Sequence, residues 1–225
     1  MNRWELIDGA AVPGDGGELR LYRRRDEFSM RVQGHGELMN SRTHGSEDAL
    51  GELTCEPLAH TPGANLLIGG LGMGFTLASA LARLAPDAAV VVAELVPEVV
   101  HWNEGALGEC AGHPLRDARV RVLPTDVAAL IHKAREQYDA IVLDVDNGPE
   151  GLTRRANDQL YSLTGLADAY RALKARGRLA VWSASSAPDF TARLQKVGFT
   201  VDERRVRAHG RKGARQVIWL AERGE

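Results

Sequence analysis

The residues of this chain with the clearest chemical purpose are the turn Gly70-Leu71-Gly72-Met73-Gly74, Glu94, the pair Thr125-Asp126 and the stretch Asp144-Val145-Asp146-Asn147. Three glycines at alternate positions, just after an apolar run and just before a helical one, let a ligand approach the backbone closely. They also aim helix N-terminal amides at it. Glu94 ends the next apolar run, where a carboxylate can accept both hydroxyls of a ribose. Thr125 and Asp126 end the run after that, where a carboxylate can accept an adenine amino group. Each feature alone occurs in ordinary strand-to-helix connections. In this order they describe a nucleoside cradle made of Gly70, Leu71, Gly72, Met73, Gly74, Glu94, Leu95, Thr125 and Asp126, with Asp144 at its border. A dinucleotide site expects Gly-x-Gly-x-x-Gly around a pyrophosphate, whereas the phase here is Gly-x-Gly-x-Gly followed by Phe75. A cofactor without phosphate suits that phase, and S-adenosylmethionine or a close relative is the expectation.

Asp144 and Asp146 are the candidate catalytic pair. They share one face if the strand before them persists that far. Two close carboxylates split their proton affinities, one staying ionised to orient an amine while the other exchanges a proton. Methyl transfer is an in-line displacement at a sulfonium carbon, so orienting and deprotonating the acceptor supplies most of the catalysis. Asp144 suffices for that as base or amine anchor. Asn147 adjoins the pair as a substrate-binding candidate, although Asp146-Asn147-Gly148 also reads as a solvated turn. Tyr161 and Trp182 fall where they would line a pocket beyond these acids, but aromatics at such places also serve as core. His101 and Trp102 read as packing.

The elements that must hold these residues follow from the apolar pattern. Leu66-Ile68, Ala89-Ala93, Val120-Leu123, Ala140-Leu143 and Leu179-Trp182 are apolar runs with helical segments between them, at Phe75 to Leu84, Pro97 to Asn103, Val127 to Glu136 and Asp158 to Ala175. Such alternation argues for an α/β fold with a parallel sheet buried on both faces. Phe199 to Ala208 and Arg215 to Ala221 are two further strand-like runs joined by a glycine-containing turn, an antiparallel hairpin at the end of the sheet. Seven strands so arranged resemble the Rossmann-like topology of class I methyltransferases. Ahead of them, Glu18 to Met39 alternates as a small β-hairpin region. A short helix after Ser46, with Ser46 as its N-cap, leads onward. The expected organisation is residues 1–60 for the N-terminal hairpin region and linker helix, and 61–225 for the cofactor-binding domain.

At 225 residues, 44% hydrophobic and 26% charged with a net charge of -2, the chain carries no global field for nucleic acid. Its one dense basic patch, Arg204 to Arg215, lacks interleaved aromatics and reads as a solvated hairpin. The N-terminal residues carry early acids and no unbroken apolar stretch, which argues against a signal peptide or membrane helix and for a cytoplasmic protein. Cys55 and Cys110 lack metal-ligand spacing, so neither a disulfide framework nor a metal site is expected.

From about Glu18 onward the chain resembles the spermidine synthase family of aminopropyltransferases and its S-adenosylmethionine-dependent methyltransferase relatives. The likeness is carried by Leu38 to Glu47, the glycine turn, Ala93 to Val100, Tyr138 to Asp144 and Leu160-Tyr161-Ser162. It implies that Gly70, Gly72, Glu94 and Asp126 hold the nucleoside and that Asp144 is the catalytic carboxylate beside an acceptor amine. It also implies that Glu52 and His44 line the acceptor pocket, and that the N-terminal region joins two copies into a homodimer. The departures matter as much. Where the family has an aspartate for the primary amine of decarboxylated S-adenosylmethionine, this chain has Met73, and a thioether cannot pair with an ammonium. The family's acceptor-binding tyrosine and neighbouring histidine become Leu50 and Gly51, and its paired loop acids become Asp144-Val145-Asp146-Asn147-Gly148-Pro149. The expected function is methyl transfer from S-adenosylmethionine to a small-molecule acceptor, possibly an amine. The rivals are aminopropyl transfer from the decarboxylated cofactor and a non-catalytic nucleoside-binding or partner protein.

Overall fold

The computed structural model describes residues 3–14, 17–145, 148–149, 159–209 and 212–225. Near the N-terminus, β1 (Glu5–Ala11), β2 (Glu18–Arg24), β3 (Glu27–Val32) and β4 (Gly36–Asn40) form an antiparallel sheet in that order. Leu19 pairs with Val32 and Leu21 with Met30, so the alternating apolar residues share one face, which joins the core under the larger sheet. Opposite, Arg24 and Arg31 lie 4.4 and 4.9 Å from the ring centroid of Trp4. The expected hairpin region is thus a four-stranded sheet. β1 escapes the alternation rule because all but one of its residues are exposed. Its pairing with β2 and the Trp102 indole N–H donating to Asp8 Oδ2 at 2.8 Å hold it instead.

Helix α1 (Gly45–Cys55) follows, with His44 rather than Ser46 at its N-cap position. Ser46 makes no cap because its hydroxyl donates to Glu47 Oε2 at 2.5 Å. Glu47 and Asp48 occupy the first turn, where the helix dipole favours acids.

The larger sheet is built from β5 (Asn65–Gly69), α2 (Phe75–Arg83), β6 (Ala89–Glu94), α3 (Pro97–Glu104), β7 (Val120–Pro124), α4 (Val127–Lys133), β8 (Tyr138–Leu143), α5 (Leu163–Ala172), β9 (Leu173–Ser183), α6 (Pro188–Val197), β10 (Thr200–His209) and β11 (Lys212–Glu222). Its order is β10-β11-β9-β8-β5-β6-β7, with every strand but β11 pointing the same way. The five apolar runs and the terminal hairpin fall where the sequence places them, and the hairpin's second strand slots between β9 and β10. α6 was not foreseen. The helix expected as far as Ala175 ends at Ala172, because Leu173 to Ala175 already belong to β9. The one expected to Glu136 ends at Lys133, and Glu136 adopts a left-handed φ of 46°.

One core cluster unites α1, α2 and α3 with the N-terminal sheet on one face, through Leu50, Leu77, Val99 and Trp102. A second gathers α4, α5 and α6 on the other, around Ile131, Leu166, Phe190 and Trp219. Arg119 closes the C-terminus of α2 by donating to the carbonyls of Leu81 and Leu84, which the helix leaves open. α1 lies backbone to backbone on α2 at Gly51, where a Cβ would sit 2.5 Å from the Thr76 carbonyl oxygen. No helix among the described residues is long and apolar enough to cross a membrane.

Candidate cofactor and acceptor site

β5 and β8 are neighbours from which the chain winds off in opposite directions, so a crevice opens at their carboxyl ends. The glycine turn leaves one strand there and Asp144 leaves the other. Gly70, Gly72 and Gly74 have φ of 87°, 53° and 85°, a region side chains other than glycine enter at a cost. At Gly70 a Cβ would also run into the carbonyl oxygen of Asp144. Asp144 N–H donates to Gly69 O at 2.9 Å, and Gly70 N–H to Ala93 O at 2.9 Å, tying three strand ends together.

Glu94 is buried, and its carboxylate accepts from Leu71 N at 2.8 Å and Val96 N at 2.9 Å. Burial pushes its pKa up, opposed by those amides. A carboxylate offers about four acceptor sites, so the amides fix its position and leave capacity for two hydroxyls. Asp126 caps α4, its Oδ1 accepting from Ala128 N at 2.9 Å. Thr125 N–H donates to Glu94 O at 3.1 Å, which sets Asp126 beside Glu94 and half-buried Leu95. Bare glycine backbone, a fixed carboxylate and a second acid two strands away fit an adenosyl group.

Leu71 and Met73 contribute differently from expectation. Both side chains are in the core, Met73 at 1% exposure, so the thioether does not face the crevice and only backbone is offered at these positions. Gly70 and Gly72 are the partly exposed positions of the turn. A Cβ at Gly72 would lie 2.9 Å from the sulfur of Met39, reaching over from β4. Asn103 Nδ2 donates to Gly72 O at 2.8 Å and holds the turn from beneath.

Asp144 corrects the paired-acid argument. β8 ends at Leu143, so no strand carries Asp144 and Asp146 on one face, and Asp146 and Asn147 lie outside the described residues. Asp144 instead has partners from the helices. Thr76 Oγ1 donates to its Oδ2 at 2.7 Å. Burial, then the negative charge of Glu47, push its carboxyl up to about 7, with the Thr76 hydrogen bond pulling the other way. Glu47 is itself buried and raised by burial.

Glu52 does not join this cluster, because it pairs with Arg83 near the other end of α2. Glu52 is five positions on from Glu47, well over a turn, so the two do not share a face. Glu47 and Thr76 were missed in the sequence. The only signal was their place in the first turns of the two helices that Gly51 brings together. His44 is not simply solvated, since its ring stacks on Phe75 at 3.9 Å and its Nδ1 lies 2.7 Å from Asp48 Oδ2. Tyr161 is fully buried, edge-on to Phe190, and its hydroxyl donates to Val145 O at 3.3 Å, bracing the chain just after Asp144.

Residues 94–217 match the family model described as S-adenosyl-L-methionine-dependent methyltransferase. No curated protein sequence matches the chain significantly. Among solved structures the chain is similar to spermidine synthase from Thermotoga maritima, with a TM-score of 0.75 and 16% identity over 97% of this chain and 73% of that one. It is similar to a spermidine synthase in complex with the transition state analogue AdoDATO, at TM-score 0.73 and 16% identity over 97% and 72%. A probable spermidine synthase from Corynebacterium glutamicum ATCC 13032 aligns at TM-score 0.63 and 14% identity, over 99% and 81%. At these identities the likeness establishes a shared fold.

Proposed function

Because the chain belongs to the S-adenosyl-L-methionine-dependent methyltransferase family, we propose that it transfers the methyl group of S-adenosylmethionine to a small-molecule acceptor whose nucleophile Asp144 orients and deprotonates. The cofactor is S-adenosylmethionine or its decarboxylated relative. Bound in the cradle, it supplies an electrophilic carbon on a sulfonium. The rest of the chemistry falls to the chain. Gly70, Gly72 and Gly74 give it backbone, Glu94 takes the ribose hydroxyls, Asp126 takes the adenine amine, and Leu95 packs beside the base.

The observation that carries the reading is the setting of Asp144. Its backbone adjoins the glycine turn, and its carboxyl is held by Thr76 and has its pKa raised to about 7. A group poised there takes a proton from an amine or hydroxyl near neutrality and returns it to water. Burial, and after it the charge of Glu47, keep Asp144 from being a permanently ionised acid.

Methyl transfer is favoured over aminopropyl transfer because the turn from Gly70 to Gly74 offers amides and no acid. Decarboxylated S-adenosylmethionine is doubly cationic and asks for a carboxylate there. The likeness to spermidine synthases supports the second reading, aminopropyl transfer, in which another residue meets that amine. Titration calorimetry with the two cofactors separates them. Tighter binding of S-adenosylmethionine is expected, and preference for the decarboxylated form refutes methyl transfer. A protein that binds either cofactor but methylates no amine, thiol or phenol would be a binding module instead.

A further inference from the structure

Asp144 has neighbours on the sheet that the reading above leaves unused. β8 and β9 run parallel with Leu143 beside Val181, and Asp144 and Trp182 are the residues that follow this last pair. β11 sets Ile218 opposite Trp182. Gln216 therefore lies diagonal to Trp182 on the same face, roughly 7–8 Å away at the backbone. That face belongs to α1, with Ala180, Ile218 and Leu220 in its core cluster and Trp182 packed against them. In this apolar setting two polar atoms are buried without a hydrogen-bond partner among the described residues, Trp182 Nε1 and Gln216 Oε1. Gln216 is 9% exposed. A buried N–H and a buried C=O each forfeit hydration with nothing in return unless a ligand completes them.

The stretches Leu179 to Ser183 and Gln216 to Leu220 contain no acid. Asp144 and Glu47 stand at one end of this face; at the other, between Trp182 and Gln216, an ammonium would find an indole N–H, which only donates, and a single amide oxygen. A group with separate acceptor and donor atoms fits the pair better, and the diagonal spacing favours a planar one over a lone hydroxyl.

We infer that the acceptor pocket runs from Asp144 over Trp182 to Gln216 and receives an uncharged carboxamide-like end of the acceptor, its carbonyl oxygen accepting from Trp182 Nε1 and its N–H donating to Gln216 Oε1. The assignment of the far end as the reacting one rests on the proposed function. Trp182 and Gln216 are binding residues that set acceptor specificity, selecting against a second positive charge.

The test uses ¹⁵N-labelled full-length protein, whose four tryptophans give four indole N–H resonances. That of Trp182 is identified by its loss in Trp182→Phe. Benzamide is the probe and 1,4-diaminobutane the charged control, each titrated with and without S-adenosylhomocysteine. Benzamide is expected to shift the Trp182 resonance saturably, while diaminobutane leaves it in place. Gln216→Met is expected to weaken benzamide about fivefold, the loss of one hydrogen bond, with S-adenosylhomocysteine affinity unchanged as the check on folding. Should Trp182→Phe fail to fold, Gln216→Met carries the comparison, and a resonance that broadens or shifts with benzamide is assigned through its contacts with Ile218. An unmoved resonance, equal benzamide affinity in Gln216→Met, or displacement of benzamide by diaminobutane overturns the inference. Failure to bind S-adenosylhomocysteine, with the benzamide response intact, counts against the proposed function alone.

Discussion

Replacing Asp144 by Asn should make the protein more stable and less active, and both effects should depend on pH. In the folded chain, burial and then Glu47 raise the Asp144 carboxyl from 3.8 to about 7. The unfolded chain releases the same proton near 4. Between those values the folded state holds a proton that the unfolded state lacks, so stability falls as pH rises. The contribution is fully present below about pH 4, is lost progressively up to about 7, and stays lost above. Roughly three powers of ten in proton affinity, at about 1.36 kcal/mol each, set a ceiling near 4 kcal/mol. Asp144 keeps some contact with solvent, which reduces the figure to about 2–4 kcal/mol.

Asn has the same shape, accepts the Thr76 hydroxyl through its own oxygen and carries no charge to desolvate. In urea unfolding at pH 4 and pH 8, the Asn variant should nearly match wild type at the lower pH and exceed it by about 2–4 kcal/mol at the higher. Methyl transfer by the variant should drop about 10²–10⁴-fold, and the rise of the wild-type rate through pH 7 should vanish with it. A stability difference that is the same at both pH values would refute the reasoning, because the carboxyl would then titrate alike in both states. A variant that keeps the rise in rate would assign it to another group.

Thr76→Val removes a hydrogen bond to the ionised carboxylate, so the pH–rate rise should move to higher pH; a shift the other way contradicts the arrangement. Gly51→Ala ought to destabilise by about 1–3 kcal/mol in urea titration, since the added Cβ meets helix backbone that cannot swing aside. Helix propensity alone would stabilise by about 1 kcal/mol, so the sign of the change decides. For Glu94→Gln, one of the amides of Leu71 and Val96 must face an NH₂ instead of an oxygen. S-adenosylhomocysteine affinity is expected to fall at least about tenfold by calorimetry, with about 1–3 kcal/mol of stability; unchanged affinity would remove Glu94 from the cofactor site.

Most of the larger sheet was legible because its central strands, β5 and β8 above all, are buried on both faces and therefore appear as unbroken apolar runs, and because the cofactor candidates stand at strand ends. β1 was not legible, since its exposed residues show no pattern and only pairing with β2 organises them. α6 hid behind Ser183 to Pro188, whose small and polar residues read as a loop, although Phe190 and Leu194 recur at helical spacing and are fully buried. Within the site, residue type was readable but direction was not. Glu47 and Glu52 are two acids on one helix, and only the close approach permitted by Gly51 determines that Glu47 turns toward Asp144. For the same reason Met73 looked like a lining residue, whereas the left-handed glycines on either side of it turn it into the core.

That inward turn changes what supports the choice of donor. The Met73 thioether lies in the core and so meets no ammonium in the crevice. The partly exposed positions of the turn are Gly70, against the Asp144 carbonyl, and Gly72, with its own carbonyl taken by Asn103 and the Met39 sulfur close to it. The turn itself carries no carboxylate, the acid beside it being Asp144, whose carboxyl Thr76 holds, while the first amides of α2 follow directly after Gly74. Amides at a helix start attract a carboxylate and repel an ammonium. S-adenosylmethionine brings both groups as a zwitterion, so under the proposed function its carboxylate would meet these amides and its ammonium would stay beside its own counter-charge. The decarboxylated cofactor brings only the ammonium. Under the proposed function the turn would discriminate by what it donates, the missing acid and the amides both favouring the intact methyl donor, and calorimetry with the two cofactors tests that preference.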